Sequence, residues 1–132
     1  MFADWAERFR VLGDATRLRI LSLLTVRDAC VCELVELLPV SQPAVSQHLR
    51  RLKETGLVTE YRQKAWTYYR LRTDVPPALA ACLAALPVDA EDAAWLHRHH
   101  VGLSCAVMDP SSPALGAADL VPTKEEMSWK RK

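Results

Sequence analysis

Apolar positions recur at helical spacing through the first half of the chain and then switch to strand spacing. Trp5, Phe9 and Leu12 fall on one side of a helix over residues 4–12. Asp14 stands where it can cap a second helix carrying Ala15, Leu18, Leu21 and Leu24. Residues 31–38 (VCELVELL) read as a short amphipathic helix closed by Pro39. Ser41 is a good N-cap, and Pro43 sits in the tolerated first turn of a fourth helix running to Glu54, with Gly56 ending it. The period then changes: LVTEYR alternates, WTYYRL is rich in aromatic residues, and QKA joins them into a two-stranded hairpin. QKA holds no residue that readily takes positive φ, so a loop longer or wider than usual is expected. Pro76 and Pro77 open a further helix, ALAACLAAL, stopped at Pro87, and another helical stretch covers residues 89–100. From Asp109 the chain carries three prolines and little apolar periodicity.

Four helices followed by a hairpin predict a winged helix-turn-helix, mainly α with a β-hairpin wing. One domain over residues 1–100 and a flexible C-terminal tail over 101–132 are expected, because 132 residues suit a single core. The fourth helix carries the test of that fold. Val45, Leu49 and Leu52 make a narrow apolar stripe that can pack on the helices before it. The opposite face presents Pro43, Ser46, Gln47, Arg50 and Arg51, with Gln42 and Lys53 at its edges. Gln pairs bidentately with adenine, Arg with guanine, and Ser meets bases or phosphates, whereas edge residues suit phosphates. His48, beside the apolar stripe, is a packing or phosphate-contacting residue. Arg62 and Lys64 near the hairpin tip would reach the minor groove or backbone.

Charge strengthens this reading once it is divided along the chain. The net charge of +1 conceals 12 Lys/Arg against 8 Asp/Glu in residues 1–72 and 5 against 8 in the remainder. Residues 50–72 alone hold 7 basic side chains and two glutamates. A basic front offset by an acidic rear fits a nucleic-acid binder.

LGDATRLRILSLL (12–24), CVCEL (30–34), SQPAVSQHLRRL (41–52) and GLVTEYRQKAWTYYRL (56–71) resemble the ArsR/SmtB family of bacterial repressors, over roughly residues 5–86. CVCEL at the third helix and WTYYRL before a Pro-containing helix start are most similar to the arsenic-responsive repressors. The resemblance implies a homodimer joined through its N- and C-terminal helices, operator DNA as partner, and release from DNA when As(III) or Sb(III) binds. It places the dimer interface on residues 4–12 and 76–86, where Trp5/Phe9/Leu12 and Leu79/Leu83/Leu86 are the apolar faces.

Cys30 and Cys32 are the candidate sensor, since soft thiolates suit thiophilic ions. A helix N-terminus and nearby Arg27 favour the thiolate form. A CxC pair by itself is equally compatible with buried structural cysteine; set in the family motif, it reads as a metalloid site. Coupling to DNA would run through the short turn from the third helix into the fourth. Repressors of this type often have a third cysteine one turn later, but Val35 occupies that position here. Cys105 is the candidate third ligand, while Cys82, in a strongly apolar helix, reads as a buried structural residue. The same CxC pair also admits a Cd/Pb-responsive or thiol-redox-responsive repressor.

Other classes fit less well. The helix opened by Pro76 has no His, Asp or Glu, so the zinc site of zinc-responsive relatives is missing, and HRHH (97–100) reads as a solvated feature. Cd/Pb-responsive relatives add N-terminal cysteines, and none precedes Cys30 here. No Gly-rich phosphate loop, CxxC or Ser/His/Asp arrangement is evident, so no enzyme and no organic cofactor is expected. The N-terminal stretch MFADWAERFR does not read as a signal peptide, and no run of about 18 apolar residues is present. A cytoplasmic protein with reduced or ligand-bound thiols and no membrane partner is expected.

Overall fold

Asp14 accepts a hydrogen bond from the backbone N–H of Arg17 (3.0 Å) and so divides the first apolar stretch into two helices, α1 (Phe2–Leu12) and α2 (Ala15–Val26). That hydrogen bond holds the Asp14 carboxyl below its ordinary value. The cap therefore stabilises the fold in full above the usual carboxylate range and loses its contribution as pH falls through the lowered value. The computed structural model describes residues 1–99. After α2 come β1 (Ala29–Cys30), α3 (Val31–Leu37), α4 (Gln42–Glu54), β2 (Val58–Gln63), β3 (Trp66–Leu71), α5 (Pro77–Ala84) and α6 (Ala90–Arg98). The architecture is a winged helix-turn-helix, with α3 and α4 as the helix pair and β2–β3 as the wing.

The core is built on α2. Five consecutive residues, Ile20–Leu24, are buried, and Leu34, Val45, Leu49, Leu52, Leu57 and Val58 close around them. Burying so many side chains of Leu, Ile and Val, each worth roughly 1.5–3 kcal/mol, is what fixes α4 and the wing on α2. The Val45/Leu49/Leu52 stripe lies in this core, as its spacing predicts. Ser41 caps α4 by accepting from the N–H of Ala44 (3.3 Å). Gly56 follows α4 at φ 76, a left-handed conformation with open space around its α-carbon.

Four expectations need correction. The sheet has three strands in the order β1-β3-β2, because Ala29 and Cys30 pair antiparallel with Tyr69 and Tyr68. Two residues are too short to show a strand period. The wing turn is tight, since Gln63 pairs directly with Trp66 and leaves only Lys64 and Ala65 between the strands. Lys64 itself takes the positive φ of 59 that glycine ordinarily supplies. In α5, Leu79 and Leu83 are buried and Leu86 packs against the same core, so these three face this chain's interior and do not form a free interface. Cys82 lies on the other side of α5 and is exposed, so it is no core residue. In α1 the fully buried residue is Val11, while Phe9 is 59% exposed and lies tilted against Trp5 with ring centroids 5.9 Å apart. The tail expected over residues 101–132 lies outside the described residues.

Beneath the sheet, Arg27 and Glu33 form an ion pair with side chains 1% and 0% exposed. Arg27 donates to both Glu33 carboxylate oxygens (3.0 and 2.5 Å), to the carbonyls of Asp28 (2.8 Å) and Leu96 (3.1 Å), and to that of His99 (3.4 Å). Glu33 in turn accepts from the Cys30 N–H (3.1 Å). Removing one partner of such a pair leaves an uncompensated buried charge, at a cost of about 3–5 kcal/mol. Glu33→Gln is expected to lower the urea unfolding free energy by that order at fixed protein concentration. The double change Arg27→Met with Glu33→Leu is expected to lose less than the sum of the single changes.

Candidate nucleic-acid interface and thiol site

One face of α4 is given over to the core, and the turn geometry aims the other outward. Gln42, Pro43, Ser46, Gln47 and Arg50 are all exposed on it. Among the described residues Arg50 makes no ion pair. The other two basic residues of α4 are engaged within the chain. Arg51 Nη2 lies 2.9 Å from Glu7 Oε1 of α1, and Lys53 Nζ lies 2.5 Å from Glu60 Oε1 of β2. The Lys53 contact also lowers the Glu60 carboxyl from its ordinary range. Both cations are about half exposed, so these pairs are worth at most about 1 kcal/mol and exchange readily for phosphate.

The wing sets Arg62 and Lys64 in the open, Arg62 on β2 and Lys64 at the first position of the turn. Tyr69, on the strand beside β2, is pushed up to about 12 by burial and by Glu60. His48 is half-buried with its Nδ1 3.3 Å from Arg17 Nη1, so it packs at the junction of α2 and α4. Arg17 in turn holds the Val11 carbonyl at 2.6 Å, which fixes the end of α1 on the same junction.

The CxC pair stands where β1 becomes α3. Cys30 is both the second residue of β1 and the N-cap of α3, and Cys32 lies in the first turn. Cys30 is 2% exposed and clusters with buried Tyr68; Cys32, Tyr61 and Trp66 pack against the two. Cys30 is disulfide-bonded, whereas Cys82 is an exposed thiol. Cys105 lies outside the described residues. Among the described residues no group of three His, Cys, Asp or Glu side chains is placed to hold a metal ion. Arg27 does not face the thiols as an isolated cation, because Glu33 neutralises it inside the core. Of the HRHH stretch, His97 is exposed and His99 stacks on Trp95 at 3.9 Å, with its Nδ1 2.8 Å from the Trp95 carbonyl.

Sequence reasoning missed the polar network on the wing side of this site. Asp28 accepts from the Tyr61 hydroxyl (2.6 Å) and pairs with Arg70 (3.1 Å), whose guanidinium lies 4.9 Å from the centre of the Tyr61 ring. Glu33 had a legible signal, since a glutamate three residues after an N-cap is the second half of a capping box. Asp28 and Arg70 had none, because strand pairing brings them together.

The model of the bacterial regulatory protein arsR family matches residues 14–60, from the start of α2 into β2 and across both cysteines and all of α4. The chain is 40% identical over 107 residues to the arsenic resistance transcriptional regulator ArsR1 of Pseudomonas putida, a match covering 80% of this chain and 81% of that protein. The chain belongs to the arsR family. It is also 44% identical over 71 residues to the arsenical resistance operon repressor of Escherichia coli, covering 53% of this chain and 61% of that one. The solved ArsR-like transcriptional regulator from Rhodococcus superposes with a TM-score of 0.56 at 31% identity, over 74% of this chain and 84% of that chain. Within this family fold, no helix among the described residues is long and apolar enough to cross a membrane.

The two arginines of α4 are expected to separate in a DNA-binding assay. With DNA selected by the wild-type protein from a randomised pool, Arg50→Ala is expected to cost about 1–3 kcal/mol and to relax preference at one base position. Arg51→Ala is expected to weaken binding less and evenly across sequences, since Glu7 already holds that side chain. Equal losses with no change in sequence preference would remove Arg50 from base contact.

Proposed function

We propose that the protein is a homodimeric transcriptional repressor of a metalloid-resistance operon, released from operator DNA when As(III) or Sb(III) is bound by cysteine thiolates. Cys30 and Cys32 are two of the ligands and Cys105 is the third. The observation that carries this reading is the position of the CxC pair. It is hydrogen-bonded through β1 to the wing and continuous through α3 with the recognition helix, so a change in its geometry bears on both DNA-contacting elements. The donor chemistry fits, because a soft metalloid prefers thiolates to the oxygen and nitrogen ligands that hard cations take. The names of the two bacterial relatives, which concern arsenic resistance, support the same reading.

DNA contacts are assigned to Gln42, Pro43, Ser46, Gln47 and Arg50 in the major groove. Arg51, Lys53, Arg62 and Lys64 meet phosphate or the adjacent minor groove. The chain itself supports a third ligand from the C-terminal part. Arg27 holds the His99 carbonyl beside the Glu33–Cys30 link, and the six residues to Cys105 span at most about 20 Å. Residues 1–100 are the DNA-binding and dimerising unit, and 101–132 are its tail. The dimer surface consists of exposed Phe2 and Phe9 on α1 and the outer face of α5, which presents Ala78, Ala81, Cys82 and Ala85. No organic cofactor enters this reading.

The disulfide at Cys30 favours a second reading, a thiol-redox-responsive repressor using the same residue. Operator binding titrated in turn with arsenite, antimonite, Cd(II) and peroxide, with a non-thiol reductant in the metalloid arms, decides between them. Arsenite and antimonite are expected to release the DNA. Release by peroxide alone would overturn the metalloid reading. Cys30→Ser and Cys32→Ser are each expected to bind DNA near the wild-type affinity and to ignore arsenite. X-ray absorption is expected to count three sulfurs on bound arsenic in the wild type and two in Cys105→Ser.

A further inference from the structure

The wing is fastened to the thiol site by more than strand pairing. Asp28 lies two residues before Cys30, and its carboxylate oxygen Oδ2 receives both the Tyr61 hydroxyl and Arg70 Nη2, at 2.6 and 3.1 Å. Tyr61 belongs to β2, the outer strand of the wing, which β1 does not touch directly, since the strand order is β1-β3-β2. The Tyr61 side chain therefore reaches past β3 to the β1 end of the sheet. There its ring lies 5.6 Å from that of Tyr68 between centroids, against the cluster of Cys30 and Tyr68 on which Cys32 and Trp66 also pack. Tyr61 directly precedes Arg62, the exposed cation of β2, and Tyr68 pairs with both Cys30 and Tyr61 across β3.

Two routes thus run from the backbone beside the cysteines to the strand that carries the wing cation. One passes through two backbone pairings in series, Cys30 with Tyr68 and Tyr68 with Tyr61, and tolerates side-chain replacement. The other, Tyr61–Asp28, depends on one hydroxyl and one carboxylate. Asp28 is 9% exposed, so little water replaces that bond when it breaks, and Arg70 remains as the other partner of the same oxygen.

We infer that Tyr61 and Asp28 are positioning residues that transmit the state of the Cys30–Cys32 pair to the wing, so that inducer binding displaces Arg62 and Lys64 as well as the recognition helix. This rests on the metalloid reading above. Once a reductant has opened the Cys30 disulfide and the two thiolates close on a common ligand, the Asp28–Cys30 backbone shifts, the Tyr61 hydroxyl follows or loses its acceptor, and β2 moves with it. Coupling of this kind is measured as the ratio of DNA affinities with and without inducer, independently of either affinity alone.

The test measures three quantities for the full chain in a non-thiol reductant: DNA dissociation constant without inducer, the same at saturating arsenite, and arsenite affinity of the DNA-free protein followed by calorimetry. Tyr61→Phe and Asp28→Ala are expected to bind arsenite within about two-fold of wild type while the coupling ratio falls at least ten-fold, which is about 1.4 kcal/mol. Asp28→Asn keeps an acceptor for the Tyr61 hydroxyl and loses the charge that meets Arg70. It is expected to restore most of the coupling lost in Asp28→Ala. A coupling ratio in Tyr61→Phe equal to wild type overturns the inference, as does an Asp28→Asn no better than Asp28→Ala. Should either variant fold poorly, the remaining pair still gives the comparison. A wild type that ignores arsenite altogether defeats the metalloid reading instead, and the two failures are thereby distinguished.

Discussion

Arg27 and Glu33 sit almost wholly out of water, and the rest of the structure is arranged around keeping them satisfied. A guanidinium has five N–H donors and no acceptor, so burying it demands a partner in each direction of its fork. Glu33 supplies two, and the carbonyls of Asp28, Leu96 and His99 take the others. These carbonyls come from the end of α2 and the end of α6, while Glu33 comes from the start of α3. One side chain thus fixes where three elements meet. A lysine could not do the same, because a point charge on a flexible stem has neither the planar fork nor the number of donors. Ion pairs of this kind are weak evidence of net stability, since apolar residues of similar volume often do as well. Their value lies in geometry: any displacement of α3 or α6 strands donors that water cannot reach.

That constraint bears directly on the thiol site. The Glu33 carboxylate that meets Arg27 also accepts from the Cys30 N–H, so the backbone entering the first cysteine is held by the same buried network. The site is tied on its inner side to Arg27 and Glu33 and on its outer side to the wing, at Tyr61 and Tyr68. Under the proposed reading, a ligand that redraws the distance between Cys30 and Cys32 would work against a fixed base, and the displacement would pass outward, to the wing and to the turn into α4. A softer base would absorb the same change locally.

Much of this was legible in the sequence, for identifiable reasons. The helices and their caps were readable because Asp14, Ser41, Pro39 and Gly56 act locally, through their own backbone neighbours. The α4 stripe was readable because Val45, Leu49 and Leu52 recur at a helical period over three turns. The exposed recognition face followed from the same period. What was missed depends on contacts far apart in the chain. β1 is two residues long and exists only because Tyr68 and Tyr69 lie opposite it. Spacing showed that Leu79, Leu83 and Leu86 form an apolar face of α5, but not which body that face meets; α2 takes it. Lys64 defeated the turn rule because a tight two-residue connection between well-paired strands forces positive φ on whatever residue stands there.

The same distinction governs the charges of α4. Periodicity puts Arg50, Arg51 and Lys53 together on a polar surface, and composition treats them as one basic patch. The structure divides them by partner. Glu7 draws Arg51 toward α1 and Glu60 draws Lys53 toward the wing, leaving Arg50 beside Gln47 and Ser46 at the centre of the exposed face. An arginine held by a carboxylate must exchange that partner before it meets phosphate, so its net contribution is a difference between two similar interactions. An arginine without that competition would contribute its whole interaction to a base or phosphate. Under the proposed reading the acidic residues near the interface would therefore sharpen it: they would lower the share of binding that every sequence receives and leave the sequence-reading share intact.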